Sequence, residues 1–139
     1  SRGDFETMHN QEPVVDVVAD VANEFRSALQ RAAGFGIAKE NIALDVGIGF
    51  GKTAEQNLEL LAKLDKLTAE FPDHPMVVGT SRKSFIGKLL GGATVDQRLS
   101  GSLATAAIAI WNGASIIRVH DVKETGELTR IVSAVRGQL

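Results

Sequence analysis

The sequence has no cysteine, and this absence excludes disulfides, thiolate nucleophiles and cysteine-type zinc sites. It also has no apolar run approaching the ~20 residues of a membrane helix, and its first residues do not follow the pattern of a signal peptide. A formal net charge of −2 provides no strongly basic surface for nucleic acid or for an anionic membrane. These absences leave a cytoplasmic enzyme as the expected class.

The composition is that of an ordinary globular domain, with 44% hydrophobic and 23% charged residues among 139. Three short apolar runs predict buried strands at residues 42–44, 76–78 and 115–117, and a helical pattern follows each of them. A further helix, beginning at Pro13, precedes the first strand. Alternation of this kind predicts an α/β fold with parallel strands and right-handed crossovers.

The predicted helices bury different kinds of side chain. Residues 96–112 form a helix rich in small side chains, which permit close packing on a sheet, and Trp111 is expected to anchor its end in the core. The apolar positions of the other helices are, in the first, Val14, Val18, Val21, Phe25, Ala28, Leu29 and Ala32; in the second, Leu60, Leu61, Leu64 and Leu67; and in the last, Val122, Leu128, Ile131, Val132 and Val135.

Charged and polar residues gather where the three predicted strands end. Residues 79–87 (GTSRKSFIG) join the second strand to a helix and place two cations and three hydroxyls in one turn. Asp45 follows the first strand, and Arg118 and His120 follow the last. Because ligands of α/β proteins bind at the carboxyl ends of parallel strands, this turn predicts an anionic or carbonyl-bearing ligand. A solvated basic turn is the alternative.

The segment after the first strand, residues 45–53 (DVGIGFGKT), looks like a nucleotide-binding loop but fails its register, because Val46 stands where the first glycine is needed. A loop that lets the backbone approach a flat ligand, with Phe50 as an aromatic wall, fits the glycines better. A turn in which Thr53 caps the next helix, with Gln56 completing a capping box, is compatible with either interpretation.

Taken alone, the strand-end residues indicate a pocket for a heterocycle that carries donors, acceptors and a phosphate. Its groups are one carboxylate, an adjacent cation pair, a hydroxyl at a helix start, and a second cation beside an imidazole: Asp45, Arg82 and Lys83, Ser84, Arg118 and His120. A buried ion-pair network at a barrel rim, made by Asp45, Arg82, Arg118 and His120, remains an alternative.

Residues 45–53, residues 79–87 and residues 118–122 (RVHDV), in this order, resemble the dihydropteroate synthases, and the similarity runs from Ser1 to Leu139. The family usually has proline at the position of Val46, so a somewhat looser loop is expected here. The resemblance implies that residues 1–139 are the C-terminal portion of a pterin-binding TIM-type (β/α)8 barrel domain: three β/α units after a leading helix. A whole barrel takes about 250 residues.

The resemblance also implies an activity. Dihydropteroate synthases join 6-hydroxymethyl-7,8-dihydropterin diphosphate to 4-aminobenzoate and release diphosphate, and sulfonamides mimic the aminobenzoate. The residues that carry catalysis by this resemblance are Lys83, Arg118 and His120. Those that bind substrate are Asp45, Phe50, Gly79, Lys83, Ser84, Arg118 and His120.

Further expectations follow from the resemblance. Mg²⁺ would act through the substrate diphosphate, with its ligands mostly in an N-terminal half, so no metal residue is assigned here. Met8 and His9 would lie in a loop after the fifth barrel strand. The full-length enzyme is expected to be a homodimer, and the isolated chain to be inactive. Two alternatives stay open: a pterin-binding module of a methyltetrahydrofolate methyltransferase, and a non-catalytic fragment.

Overall fold

The structure is a computed structural model, and it describes residues 16–139. In order, its elements are α1 (Val17–Gly34), β1 (Leu44–Asp45), α2 (Ala54–Ala62), α3 (Leu64–Glu70), β2 (Met76–Val78), α4 (Ser84–Leu89), α5 (Leu99–Trp111), β3 (Ile116–Ile117) and α6 (Val122–Arg136). Short 3₁₀ turns occupy Lys39–Asn41 and Val95–Gln97. The predictions made for Met8, His9, Pro13 and Val14 fall outside the described residues.

The three strands form one parallel sheet in the order β1-β2-β3, with Leu44 opposite Met76 and Val77 opposite Ile116. This confirms the predicted parallel alternation. The first strand begins two residues later than predicted and includes Asp45, and the last begins at Ile116. All three strands therefore run the same way and end on one edge of the sheet.

Helix α1 packs its apolar stripe against α2 and α3. Asp16 caps the helix by accepting a hydrogen bond from the Ala19 N–H at 3.0 Å. Its buried residues are Val17, Val21, Ala22 and Phe25, of which Val17 and Ala22 were not predicted. The Phe25 ring meets Phe71 edge to face, with centroids 5.4 Å apart, and so ties α1 to the end of α3.

The predicted second helix is divided in two. Lys63 separates α2 from α3, because its backbone (φ −110°, ψ 16°) leaves the helical region while its N–H still bonds the Glu59 carbonyl. All four leucines predicted for this helix are buried. The capping box is confirmed: Gln56 N–H donates to the Thr53 hydroxyl and Thr53 N–H donates to the Gln56 side chain.

Helix α5 begins at Leu99, later than predicted, because the residues before it form the 3₁₀ turn. The close approach at its small residue Gly101 is to helix α4 and not to the sheet: a Cβ on Gly101 would lie 2.4 Å from Ile86 Cγ2. The prediction for Trp111 is wrong, since the side chain is 42% exposed. Trp111 lies at the end of α5 beside α6, where its carbonyl accepts a hydrogen bond from Arg136 Nε.

Helix α6 packs along α5, and the predicted final helix is confirmed as a helix. Its apolar stripe is not buried as the periodicity indicated. Val122, Ile131 and Val135 are exposed, whereas Thr125 is buried. Within residues 16–139 no helix combines the length and the apolar composition that a membrane crossing requires.

Candidate active site

The strand ends bring together Asp45 from β1 and Arg118 from just after β3. Arg118 Nη1 donates to Asp45 Oδ2 at 2.9 Å. The two side chains remain 57% and 38% exposed, so the ion-pair network predicted as an alternative is not buried here. Exposed pairs contribute little to stability, and both groups are accessible to a ligand.

Gly79 makes this pairing possible by lacking a side chain. A Cβ at this position would lie 2.8 Å from Arg118 Nη2 and 3.1 Å from its Cζ. The guanidinium therefore lies directly over the end of β2. This is the physical reason for a glycine at a position that the resemblance assigns to the substrate site.

Lys83 enters the same region from the turn after β2. Its side chain passes over Gly49, where a Cβ would lie 3.1 Å from Lys83 Cδ. The amine donates to the Ile48 carbonyl and lies 4.9 Å from the centroid of the Phe50 ring. Burial and then the charge of Arg118 lower the pKa of Lys83 to about 8, against a smaller opposing effect of Asp45. An acceptor that reached this amine would stabilise its charged form.

The glycine-rich loop uses its own lysine to hold its shape. Lys52 Nζ donates to the carbonyls of Gly47 at 2.8 Å and of Phe50 at 3.0 Å. The Gly49 N–H donates to Asn57 Oδ1 at 2.9 Å. Because Lys52 bonds the loop backbone and Phe50 is 49% exposed, the geometry favours a close-approach loop with an aromatic wall over a phosphate cradle.

Val46, which replaces the usual proline, is buried at the start of this loop. Its N–H approaches the Val77 carbonyl at 3.4 Å, a contact that proline cannot make. The contact is long and therefore weak. The expected loosening of the loop stays a prediction.

Arg82 does not join Lys83 at this site, although the sequence suggested an adjacent cation pair. Its φ is +58°, a left-handed conformation, and its Nη2 donates to Asp121 Oδ1 at 2.9 Å. That hydrogen bond lowers the pKa of the Asp121 carboxyl. Two neighbouring cations are thus separated, one toward Asp45 and Arg118 and one toward the start of α6.

His120 is held by a residue that the sequence did not single out. The buried Ser81 hydroxyl accepts the His120 backbone N–H at 3.2 Å and lies 2.8 Å from His120 Nδ1. With its own proton the hydroxyl can donate to Nδ1, which leaves the ring proton on Nε2. The sequence signal that could have identified Ser81 is its place directly before Arg82 in the turn after a buried strand, since a hydroxyl buried there needs a hydrogen-bond partner.

Ser84 is the first residue of α4, as predicted, and its side chain is exposed. Among residues 16–139 no three side chains of histidine, cysteine, aspartate or glutamate are grouped to hold a metal ion. The described strand ends are dominated by cations. These residues therefore do not fit a magnesium ion by themselves.

A sequence profile for pterin binding enzymes matches residues 1–120. The chain belongs to this family. Dihydropteroate synthase of Escherichia coli K12 is 49% identical over 135 residues, which are 96% of this chain and 46% of that protein. The predicted resemblance to dihydropteroate synthases is thereby confirmed.

Solved structures of similar proteins also match most of this chain. Yersinia pestis dihydropteroate synthase with a sulfonamide drug is 44% identical, with a TM-score of 0.88 over 94% of this chain and 46% of its own. The Thermus thermophilus enzyme in complex with 6HMPPP is 39% identical, with a TM-score of 0.86 over 95% and 51%. These neighbours are TIM barrels, so the predicted fold class is confirmed. The chain spans about half the length of the relatives it matches.

Proposed function

We propose that this chain supplies the pterin- and diphosphate-binding strand ends of a dihydropteroate synthase, with residues 1–139 forming the C-terminal portion of its barrel domain. The observation that carries the proposal is the convergence of Asp45, Lys83 and Arg118 at one sheet edge. Similar proteins that have been solved with 6HMPPP and with a sulfonamide drug support it.

Asp45 and Lys83 would read the two kinds of group on a pterin edge. The Asp45 carboxylate only accepts hydrogen bonds, so it suits the N–H donors of the heterocycle. Lys83 only donates, so it suits the carbonyl and a ring nitrogen. The lowered pKa of Lys83 supports this role, because a bound acceptor would compensate the burial of the amine.

Arg118 and His120 would hold the diphosphate. The carbon–oxygen bond breaks with its electron pair leaving on diphosphate, and a pterin-methyl cation remains. The guanidinium and the Nε2–H donor stabilise the charge that develops on the leaving oxygens. Asp45 keeps Arg118 at the strand end, and Ser81 orients the His120 ring.

Phe50 and Ser84 would form the aminobenzoate site beside the lysine stem. The amine of 4-aminobenzoate attacks the cation, a carbon–nitrogen bond forms, and the nitrogen loses a proton to the released diphosphate. Ser84 would bind the carboxylate, and the exposed Phe50 ring offers an apolar wall. A sulfonamide would occupy the same position.

The remaining barrel strands would come from sequence outside residues 16–139, since the sheet described within that range has three strands. Magnesium would be bound through the diphosphate and by residues outside 16–139, and no step above depends on it. A homodimer is proposed for the complete enzyme, and the exposed apolar side chains of α6 are available for such an association. Light scattering on the complete enzyme measures its mass.

The direct test is diphosphate release by the complete protein that carries this segment. We expect release that requires both the pterin diphosphate and 4-aminobenzoate and that a sulfonamide inhibits. Pterin binding without diphosphate release would favour the methyltransferase-type module instead. The isolated 139-residue chain should be inactive, because it supplies only part of the barrel.

A further inference from the structure

The turn that carries Lys83 contains one strained residue. Arg82 has φ +58°, which is unfavourable for a side chain with a Cβ. The next residue, Lys83, returns to an extended conformation with φ −75° and ψ 155°. The left-handed residue therefore sets the direction in which the Lys83 side chain leaves the backbone.

Both polar backbone groups of Arg82 are bound by the beginning of α5. Its N–H donates to Ser102 Oγ at 2.9 Å, and its carbonyl accepts from Arg98 Nη1 at 2.9 Å. Ser102 is buried, and Arg98 is the residue before α5 begins. The strained conformation is thus fixed from both sides by side chains 16 and 20 residues further along the chain.

Arg98 reaches this carbonyl through a gap made by Gly87. A Cβ on Gly87 would lie 2.6 Å from Arg98 Nη2 and 2.8 Å from the Ala93 carbonyl oxygen. Arg98 Nε donates to that same Ala93 carbonyl at 3.0 Å, which fixes the guanidinium plane. The fork of the guanidinium therefore joins the loop after α4 to the turn after β2.

A third contact continues the same helix face. Thr105 Oγ1 donates to Thr80 Oγ1 at 2.7 Å, and both side chains are buried. Arg98, Ser102 and Thr105 are spaced four and three residues apart, so they follow one side of the helical path. This side of α5 binds the turn at Thr80 and at Arg82.

We propose that Arg98 is a positioning residue for Lys83: by binding the Arg82 carbonyl it maintains the left-handed turn that directs the Lys83 amine to the strand end. This inference rests on the proposed role of Lys83 as the pterin donor. Arg98 itself contacts neither Asp45 nor Arg118. Without it, the peptide after Arg82 keeps the hydrogen bond from the Lys83 N–H to the Thr80 carbonyl at 3.2 Å but loses the one at its carbonyl, and the amine moves toward water.

The test uses four variants of the complete protein: Arg98→Ala, Arg82→Ala, and the doubles Arg82→Ala/Arg98→Ala and Arg82→Gly/Arg98→Ala. The doubles differ only by one Cβ at position 82. Glycine adopts a left-handed conformation without a steric cost, whereas alanine does not. Arg98→Lys, which retains a single cationic donor, replaces Arg98→Ala if that variant does not fold.

We expect Arg98→Ala to raise the KM for the pterin diphosphate about tenfold, the factor that corresponds to the cost of one left-handed residue. The KM for 4-aminobenzoate should change much less. The glycine double variant should recover most of the loss, and the alanine double should not. Equal losses in both doubles, or no loss in Arg98→Ala, would overturn the proposal.

A second measurement does not depend on activity. The pH dependence of Lys83 labelling by an amine-reactive reagent, followed by peptide mass spectrometry, reports the pKa of the amine. Arg98→Ala should shift it upward toward ordinary lysine, and the glycine double should shift it back. An unchanged labelling profile in Arg98→Ala would reject the positioning role. Because labelling needs no ligand, this outcome is distinct from a failure to bind pterin diphosphate, which would reject the proposed function.

Discussion

Two groups of charged residues lie a few residues apart at the strand ends, and they differ in how their charges are satisfied. The outer group, so named because it lies toward the start of α6 and away from Asp45, is Arg82 and Asp121, which form a hydrogen bond at 2.9 Å. In the inner group, Asp45 pairs with Arg118. Burial and the charge of Arg118 disfavour the charged form of Lys83 and lower its pKa to about 8. The outer group is complete within the chain, and the inner group has a cation that a ligand would stabilise.

The comparison shows that neighbours in sequence need not share a function. Arg82 and Lys83 carry the same charge, but the left-handed backbone at Arg82 sends the two side chains in different directions. The Asp121 carboxylate neutralises the charge of Arg82. The Lys83 amine donates to the Ile48 carbonyl, a neutral acceptor that does not balance its charge. The difference predicts which substitutions matter.

The largest effect is expected from Lys83→Ala in the complete protein. A buried acceptor on the pterin would lose its charged donor, at a cost of roughly 1.5–3 kcal/mol, or about ten- to a hundredfold in affinity and in kcat/KM. Arg82→Ala should cost less, because its partner is Asp121. Lys88→Ala, on the exposed side of α4, is the matched control. If steady-state kinetics reversed the order of Lys83 and Arg82, the assignment of the inner cation would be wrong.

Asp45→Asn should reduce pterin affinity far more than affinity for a sulfonamide. An amide offers one acceptor and two donors to an edge that requires acceptors only. Ser84→Ala should show the opposite bias, because its hydroxyl is assigned to the aminobenzoate carboxylate. Titration of each variant with a pterin analogue and with a sulfonamide measures both losses. Equal losses for the two ligands would indicate general unfolding instead.

Affinity for a pterin analogue should fall as the pH rises through about 8. The folded pKa of Lys83 lies below that of free lysine, so the amine loses its proton, and with it the donor charge, in this range. Lys83→Arg stays charged at these pH values and should not show this part of the decrease. Binding titrations of both proteins between pH 6 and 10 separate the effect of Lys83 deprotonation from that of the ligand's own ionisation, which is common to both. Parallel curves for the two proteins would contradict the assignment.

Gly79→Ala should weaken binding of the pterin diphosphate several-fold with little loss of stability. The new Cβ would meet Arg118 Nη2 at 2.8 Å, and this flexible guanidinium would have to leave its place beside Asp45. Gly126→Ala is the control, since a Cβ there meets nothing within 4 Å. Calorimetry and thermal unfolding measure the two effects. A large drop in Tm with unchanged affinity would show that Gly79 serves the fold alone.

The smallest effect is expected from Asp121→Asn, which breaks the outer pair. Arg82 holds the pKa of Asp121 below its usual value, so any stability the pair contributes is present above the ordinary carboxyl pKa and is lost as the pH falls through the lowered one. Both groups are partly exposed, so the change in Tm at neutral pH should be slight and reduced further by salt. A loss of pterin affinity comparable to that of Lys83→Ala would remove the distinction between the groups.

The sequence predicted the features of the fold that depend on local pattern. The three strands and the capping box at Thr53 follow from apolar runs and cap chemistry. The family motifs predicted which residues would meet at the strand ends. Asp45, Gly79, Lys83 and Arg118 do lie together, and their roles toward ligands stay predictions.

The sequence could not predict features that depend on distant contacts. The divergence of Arg82 from Lys83 is fixed by Arg98 and Ser102, which belong to another element. Trp111 was expected to anchor the end of its helix in the core but is exposed there, beside α6. Periodicity states which residues share a face and does not state whether another element covers that face.

The pKa of Lys83 in the complete protein, measured by NMR on the labelled amine with and without pterin diphosphate, tests the central claim most directly. We predict a pKa near 8 without ligand, because burial and Arg118 oppose the charge, and an upward shift when the acceptor binds. An ordinary lysine value that does not change on addition of the ligand would contradict it.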